Sequence, residues 1–466
     1  MAKIEPIVID ILFENGGVIL EDFFVQKLSE EIDDLEKEKI EKGIEKLVKK
    51  NKIYRLEDKY ISLTDFGDLQ EDKIDELLKK IVHPKFLFKN PKFTNPNGKE
   101  EEFCDNMIFF DGNLIIIQSK TKNYTTLENF ERFQTKCIDN SIKQLDSSIR
   151  VSKNEIIEKK FKNELGEEIE LNNTNIKKII GLNICYFHQD KDYFISKGWK
   201  NKLKHLDDIP NILTYQELKK IINLNDTLPD FLEYLDKRRV LVQKEIPLLS
   251  EYQILSYFFY TNHTMLLEGM SKTDWTDSSL IILDEGFEEE LERGELKNKL
   301  DKREEDNKKS YFIDNIINKI IKNVQNEQDI FFIELLRLNR FNRRLISNRM
   351  LPIYNDFITK KQDFRAPFIR LNENLGILFI FSKKSDNFYE NEQILKVHSL
   401  IMKNRHKLQK IIGISENHYK DGTVNHSFCI LEGDIKLDES DLPKEFFDNL
   451  NDKSKMEKLD TIYEFN

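Results

Sequence analysis

Residues 102–122 read EFCDNMIFFDGNLIIIQSKTK, and this segment constrains the fold more than any other. Two β-prone runs flank Asp111-Gly112, a dipeptide suited to a tight hairpin. The spacing predicts antiparallel strands over Glu102–Phe110 and Asn113–Lys120. The second begins with Leu114–Ile117, an uninterrupted aliphatic run that reads as a buried core strand. It then ends in Gln118-Ser119-Lys120, polar residues that a buried strand does not favour. Residues two apart share one side of a strand, so Gln118 and Lys120 point the same way. Asp105 lies across the hairpin from them. A core strand with a polar end is a local conflict of the kind found at functional sites.

The surrounding pattern is mixed α/β. A helix is predicted over residues 128–150, with Phe130, Phe133, Cys137, Ile138, Leu145 and Ile149 on its apolar face. Strands follow at 179–187 and 212–214, then a helix at 215–222. A shorter helix at Ile74–Ile81 precedes the hairpin. Upstream, residues 1–66 give helices near Ile7–Leu12, Leu20–Ser29 and Glu36–Lys50, then short strands at Ile53–Leu56 and Tyr60–Leu63. Downstream of about residue 245 comes a separate α/β unit. Its helices are predicted at 251–260, 311–323 and 392–410, and its strands at 368–371, 377–381, 411–415 and 428–431. The expected domains are therefore 1–66, 72–240 and 245–466. A boundary belongs near 240–247 or in the charged stretch Glu285–Lys309. No internal repeat or Gly/Pro-rich linker is evident.

A chain of 466 residues exceeds one ordinary domain. No apolar run approaches the ~18–20 residues that cross a bilayer, so no membrane partner is expected. Acidic residues at Glu5 and Asp10 break the order of a signal peptide, which makes a cytoplasmic location the expectation. Cys104, Cys137, Cys185 and Cys429 are too dispersed for a zinc knuckle. The histidines form no HxxxH or HxH pair. A net charge of −11 argues against a general nucleic-acid coat protein but not against local phosphate-binding patches. No Gly-rich phosphate loop, GxSxG motif or cysteine-protease signature occurs. The run RLNRFNRRLISNR places Arg337, Arg340 and Arg344 on one helical face. That face suits either phosphate or neighbouring carboxylates.

The strand pair resembles the PD-(D/E)XK nucleases, in which Asp is followed after about a dozen residues by Glu, Asp or Gln, then any residue, then Lys. Here the signature is Asp105 … Gln118-Ser119-Lys120, and its Gln-x-Lys form is similar to Mrr-like restriction endonucleases. The resemblance implies a metal-dependent phosphodiesterase domain over about 72–240, with a mixed sheet flanked by helices. It implies Mg²⁺, or Mn²⁺, held by Asp105, with Gln118 binding through its amide oxygen and Lys120 assisting the attacking water. Glu102 is a candidate second carboxylate, with Glu100 and Glu101 beside it. Glu76 is the candidate acid from the first helix, and Gln144 matches a glutamine position of RecB-like members. The family more often has an acid at the Gln118 position, and a neutral ligand lowers the negative charge of the site.

The segments FLFKNPKFTNPNGKEEEFCD, SIKQLDSSIR and LNDTLPDFLEYLDKRR resemble bacterial proteins carrying this core. Residues 40–64 resemble a winged helix, able to contact DNA or protein. The implied function is a nuclease, a DNA endonuclease of prokaryotic anti-phage defence or restriction. DNA is favoured over RNA as partner; a homodimer and a defence-system protein are further implied partners. Two alternatives stand beside it: an inactive nuclease fold serving as a binding module, and an RNA-cleaving toxin.

Overall fold

The computed structural model describes residues 7–8, 10–12, 18–20, 26, 37–50, 53–56, 59–62, 66–121, 130–154, 159–186, 204–205, 209–243, 251–260, 294–322, 329–360, 364–383, 388–419, 422–433 and 435. The architecture is mixed α/β, as expected from the sequence. The chain divides into two compact units, Met1–Asn298 and Lys299–Asn466, and the division lies inside the charged stretch.

Unit 1 opens with strand β1 (Val18–Leu20), helix α1 (Lys37–Lys49) and strands β2 (Ile53–Leu56) and β3 (Lys59–Ser62). The strands form an antiparallel sheet in the order β1-β3-β2. Ile44 and Leu47, one turn apart on α1, are buried with Ile53, while Lys42, Lys46 and Lys49 are exposed. β1 was not foreseen, and the helix expected over Leu20–Ser29 lies almost wholly outside the described residues.

Helix α2 (Phe66–Leu78) starts earlier than its sequence pattern suggests. Strand β4 (Leu87–Lys89) and the ribbon of β5 (Lys92–Thr94) with β6 (Glu100–Glu102) follow. Then come β7 (Asn106–Phe110), β8 (Asn113–Thr121), helix α3 (Phe130–Lys153) and a ribbon of β9 (Lys160–Lys162) with β10 (Glu168–Glu170). The unit closes with β11 (Lys178–Tyr186), β12 (Asn211–Thr214), α4 (Tyr215–Leu224), α5 (Leu228–Gln243) and α6 (Glu251–Tyr260).

The central sheet runs β12-β11-β8-β7-β4. β7 is antiparallel to β8, and β11 and β12 continue parallel to β8. The hairpin turns at Asp111 (φ 51°) and Gly112 (φ 77°), the left-handed pair that a two-residue turn needs. A Cβ on Gly112 would also lie 2.6 Å from Lys177 Cγ, so glycine is required twice over. Leu114, Ile115, Ile116 and Ile117 are fully buried, because helices cover both faces of the strand. Leu145 and Ile149 of α3 pack with Leu114, Ile116 and Met107 on one face. α2 lies against the other. Lys159 reaches back to the end of α3, donating to the carbonyls of Ser152 and Asn154 at 2.8 Å each.

The expected single strand over Glu102–Phe110 is in fact two. Glu100–Glu102 pairs with Lys92–Thr94, and the central sheet resumes at Asn106. The chain changes sheets between them, with Phe103 N–H donating to Pro91 O and Asn90 N–H to Asp105 O.

Unit 2 holds α7 (Glu295–Lys322, beginning just before the division), α8 (Asp329–Leu336) and α9 (Arg340–Thr359). After them come strands β13 (Phe364–Arg365), β14 (Phe368–Arg370) and β15 (Leu375–Ser382). Helix α10 (Phe388–Arg405) and strands β16 (Lys410–His418) and β17 (Val424–Glu432) complete it. β14 is antiparallel to β15, and β16 returns parallel to β15 after α10. The arginine run on α9 turns inward. Arg340 and Arg343 both grip Asp314, at 2.6 and 2.7 Å. Arg337 pairs with Glu334. Glu416, buried on β16, accepts from Tyr354 at 2.9 Å and lies 2.7 Å from His418 Nε2 and 3.1 Å from His426 Nε2. Burial works against its charge, yet those three partners hold its carboxyl down at about 2.

Two stretches of the same build therefore occur, one in each unit: an antiparallel hairpin, a helix, then a strand parallel to the second hairpin strand. The last strand begins KIIG in both, at Lys178–Gly181 and Lys410–Gly413. Lys178 pairs with Asn113 and Lys410 with Leu375, so the registers can be laid side by side. Gln118 then corresponds to Ile380 and Lys120 to Ser382. Asp105 corresponds to Ala366, one step beyond the Phe379–Pro367 bond. The unit 2 copy has no carboxylate, amide or lysine at these three places.

Candidate functional site

The site lies where β8 ends and β7 has not yet begun. β7 starts at Asn106, opposite Ile117, so Ser119 lacks a cross-strand carbonyl on that side. The Asp105 carboxylate takes its place. One oxygen, Oδ2, accepts from Ser119 N–H at 2.5 Å and from Ser119 Oγ at 2.8 Å. Charge-assisted bonds of this kind are short and fix the acceptor. Asp105 is only 6% exposed, so its charge needs such partners.

Glu102 ends β6, three residues earlier, and reaches the same place. Its carboxyl is raised above the ordinary glutamate range by burial, by the Asp105 charge and by a hydrogen bond with Asp105. Lys120 and Lys92 act in the opposite direction. Lys120 is half-buried and belongs to no ion pair among the described residues. Two carboxyls and a lysine thus share one corner of the sheet.

Gln118 stands two residues before Lys120, on the same face of β8. The side chain is 3% exposed, and its amide nitrogen donates to Ser148 Oγ on α3 over a long 3.5 Å. Its oxygen, Oε1, is buried and meets no donor. Beside it in register, Asn183 on β11 accepts from Ser141 of α3 at 2.6 Å. α3 therefore turns apolar residues towards Ile116 and two serines, one heptad apart, towards this polar end. On neighbouring strands and loops, Asn90 Oδ1, both side-chain atoms of Asn106 and Asn183 Nδ2 are also buried without partners. Orphaned buried polar atoms are rare, and a concentration of them marks a place built to receive polar groups.

Glu76 is exposed on α2 and pairs with Lys73 at 3.4 Å. Gln144 is exposed on α3, where only its backbone carbonyl engages, accepting from Ser148 at 3.0 Å. Among the described residues neither side chain is seen touching the corner. The acid of α2 tied most closely to it is Glu71, which accepts from Asn90 Nδ2 at 3.2 Å while Asn90 N–H holds Asp105 O at 2.8 Å. Asn90 does this from a left-handed conformation (φ 44°) that asparagine tolerates better than most residues. Nothing local in the sequence marks Ser119, Ser148, Asn183 and Glu71, whose partners lie 14 to 42 positions away.

The donor set fits a hard divalent cation. Two carboxyls and an amide oxygen are all oxygen ligands, and Mg²⁺ is commonly held by one or two carboxylates with the rest of its shell left to water and substrate. The partnerless Oε1 of Gln118 is the observation that favours the fit. The described residues offer no group of three or more His, Cys, Asp or Glu able to cage a metal. No protein-family model, curated protein or solved structure matches the chain. No described helix is long and apolar enough to cross a membrane.

Proposed function

We propose that the chain is a divalent-metal-dependent nuclease of PD-(D/E)XK type, with its site at the end of β8. The observation that carries this reading is the pairing of Glu102 with Asp105 beside Lys120 at the end of β8, two residues after Gln118 with its orphaned oxygen, in a hairpin–helix–parallel-strand sheet. The β1-β3-β2 sheet with α1 supports reading residues 1–66 as a winged helix.

Asp105 and Glu102, with Gln118 Oε1, would hold Mg²⁺ or Mn²⁺. When bound, the cation supplies charge neutralisation at the scissile phosphate and makes a water easier to deprotonate. The rest falls to the chain. Ser119 keeps the Asp105 carboxylate from rotating, so the ligand oxygen is pre-set. Lys120, with its ammonium beside Glu102, stabilises the negative charge that develops on the attacking and non-bridging oxygens. The neutral amide of Gln118 leaves the corner less negative than three carboxylates would. That lowers repulsion towards the substrate phosphate at some loss of cation affinity.

The test is one set of incubations. Supercoiled plasmid, linear duplex, single-stranded DNA and RNA are each treated with Mg²⁺, Mn²⁺ or EDTA. Asp105→Ala and Lys120→Ala run beside the wild type. Metal-dependent cleavage should fall at least ~100-fold in both variants, with circular dichroism showing both folded and the Lys120→Ala melting temperature near wild type. Cleavage that survives both substitutions, or that persists in EDTA, overturns the reading.

A further inference from the structure

We propose that Ser148 is a positioning residue that turns the Gln118 amide so that Oε1, and not Nε2, faces the cation. The inference rests on the nuclease reading above. Ser148 has one hydroxyl proton, and both of its acceptors, Phe103 O and Gln144 O at 3.0 Å, are backbone carbonyls. What it presents to Gln118 is therefore a lone pair. A lone pair accepts from Nε2 and repels Oε1, so the amide is held in one of its two orientations. The bond is long, at 3.5 Å, but it is the contact observed for the Gln118 amide nitrogen, inside a site where Gln118 is 3% exposed.

The orientation matters because an amide has only one ligating oxygen. Flipped by 180°, Gln118 would aim an NH₂ group at the cation and contribute nothing. A carboxylate has no such problem, since its two oxygens are equivalent. A glutamine at this position therefore depends on a partner that glutamate would not need. Asn183, next to Gln118 on the sheet, shows the same logic with the opposite donor: Ser141 Oγ donates to its Oδ1 at 2.6 Å.

The experiment is Mn²⁺ binding to the full-length protein without nucleic acid, followed by calorimetry and by the paramagnetic resonance signal of free Mn²⁺. Four proteins are compared: wild type, Ser148→Ala, Gln118→Glu and the double variant. Asp105→Ala serves as the no-site control, and circular dichroism checks each fold. Loss of Ser148 should weaken Mn²⁺ binding about 10-fold in the glutamine background. In the Gln118→Glu background the change should stay within about twofold. Ser148→Thr, which keeps the hydroxyl, should bind as wild type. Should the alanine variant melt early, Ser148→Cys, close in size but a poor acceptor, takes its place. Equal weakening in both backgrounds would mean that Ser148 merely supports the local fold, and would overturn the proposal. No effect in either background, with wild-type binding intact, would overturn it while leaving the nuclease reading standing. Absence of Mn²⁺ binding by the wild type, equal to Asp105→Ala, would remove the nuclease reading and this proposal together.

Discussion

Glu102 ends one sheet, Asp105 stands just before the next, and their carboxyls share a hydrogen bond. Burial and the Asp105 charge raise the Glu102 pKa, so the folded chain holds that proton more tightly than the unfolded chain does. The stability from this proton is complete below the unfolded value and is lost as pH rises through the folded one. At neutral pH the pair is therefore a liability that a cation would relieve. Glu102→Gln should raise the melting temperature of the metal-free protein at pH 7.5, with the gain vanishing near pH 4. Added Mg²⁺ should stabilise the wild type more than the variant. A scan of melting temperature against pH and Mg²⁺ checks both, and equal curves for the two proteins would rule out a functional coupling. At this scale Asp105, Gln118 and Lys120 were legible because they break the pattern of a buried strand. Ser119 was not. Alternation aims it away from Gln118 and Lys120, and its role comes from a strand that starts one residue too late to pair with it.

Elements were the most legible level, since each carries its own periodicity. α3, β8, β11, α4, α6 and β15 lie within two or three residues of their predicted ends. The failure at β6 and β7 has a physical cause. Phe103 and Cys104 continue the apolar pattern of a strand, and only the bonds to Pro91 and Asn90 show that the chain has crossed to another sheet. The packing of α5 on α6 was also invisible in sequence. It depends on Arg238, whose Nε lies 2.9 Å from both oxygens of Glu251 and whose other nitrogens reach Asn211 and the Ile212 carbonyl. Tyr234 donates to the same carboxylate. Both members of this ion pair are almost wholly buried, with side chains 7% and 1% exposed. Removing one partner strands the other, at about 3–5 kcal/mol. Glu251→Ala should lower unfolding free energy by that amount in urea titrations, and amide exchange should show α6 opening first. A loss below 1 kcal/mol would mean that water reaches the guanidinium.

At the scale of the whole chain, the two units share a supersecondary build that the sequence did not disclose. Only the four residues KIIG repeat visibly, too few to raise a period above background. The correspondence emerges from strand register, where Ala366, Ile380 and Ser382 occupy the places of Asp105, Gln118 and Lys120. Ala366 and Ile380 offer no ligand atom, and Ser382 offers only a hydroxyl. This sets a stoichiometry. A duplex has two backbones of opposite polarity, and on the nuclease reading a chain with one such corner among its described residues meets only one of them in each encounter. Supercoiled plasmid should accordingly pass through an open-circular stage before any linear form accumulates, unless two chains act together. A time course at low and high protein concentration separates the cases: nicks at every concentration would identify a one-strand cutter, and linear product rising with the square of concentration would identify a pair.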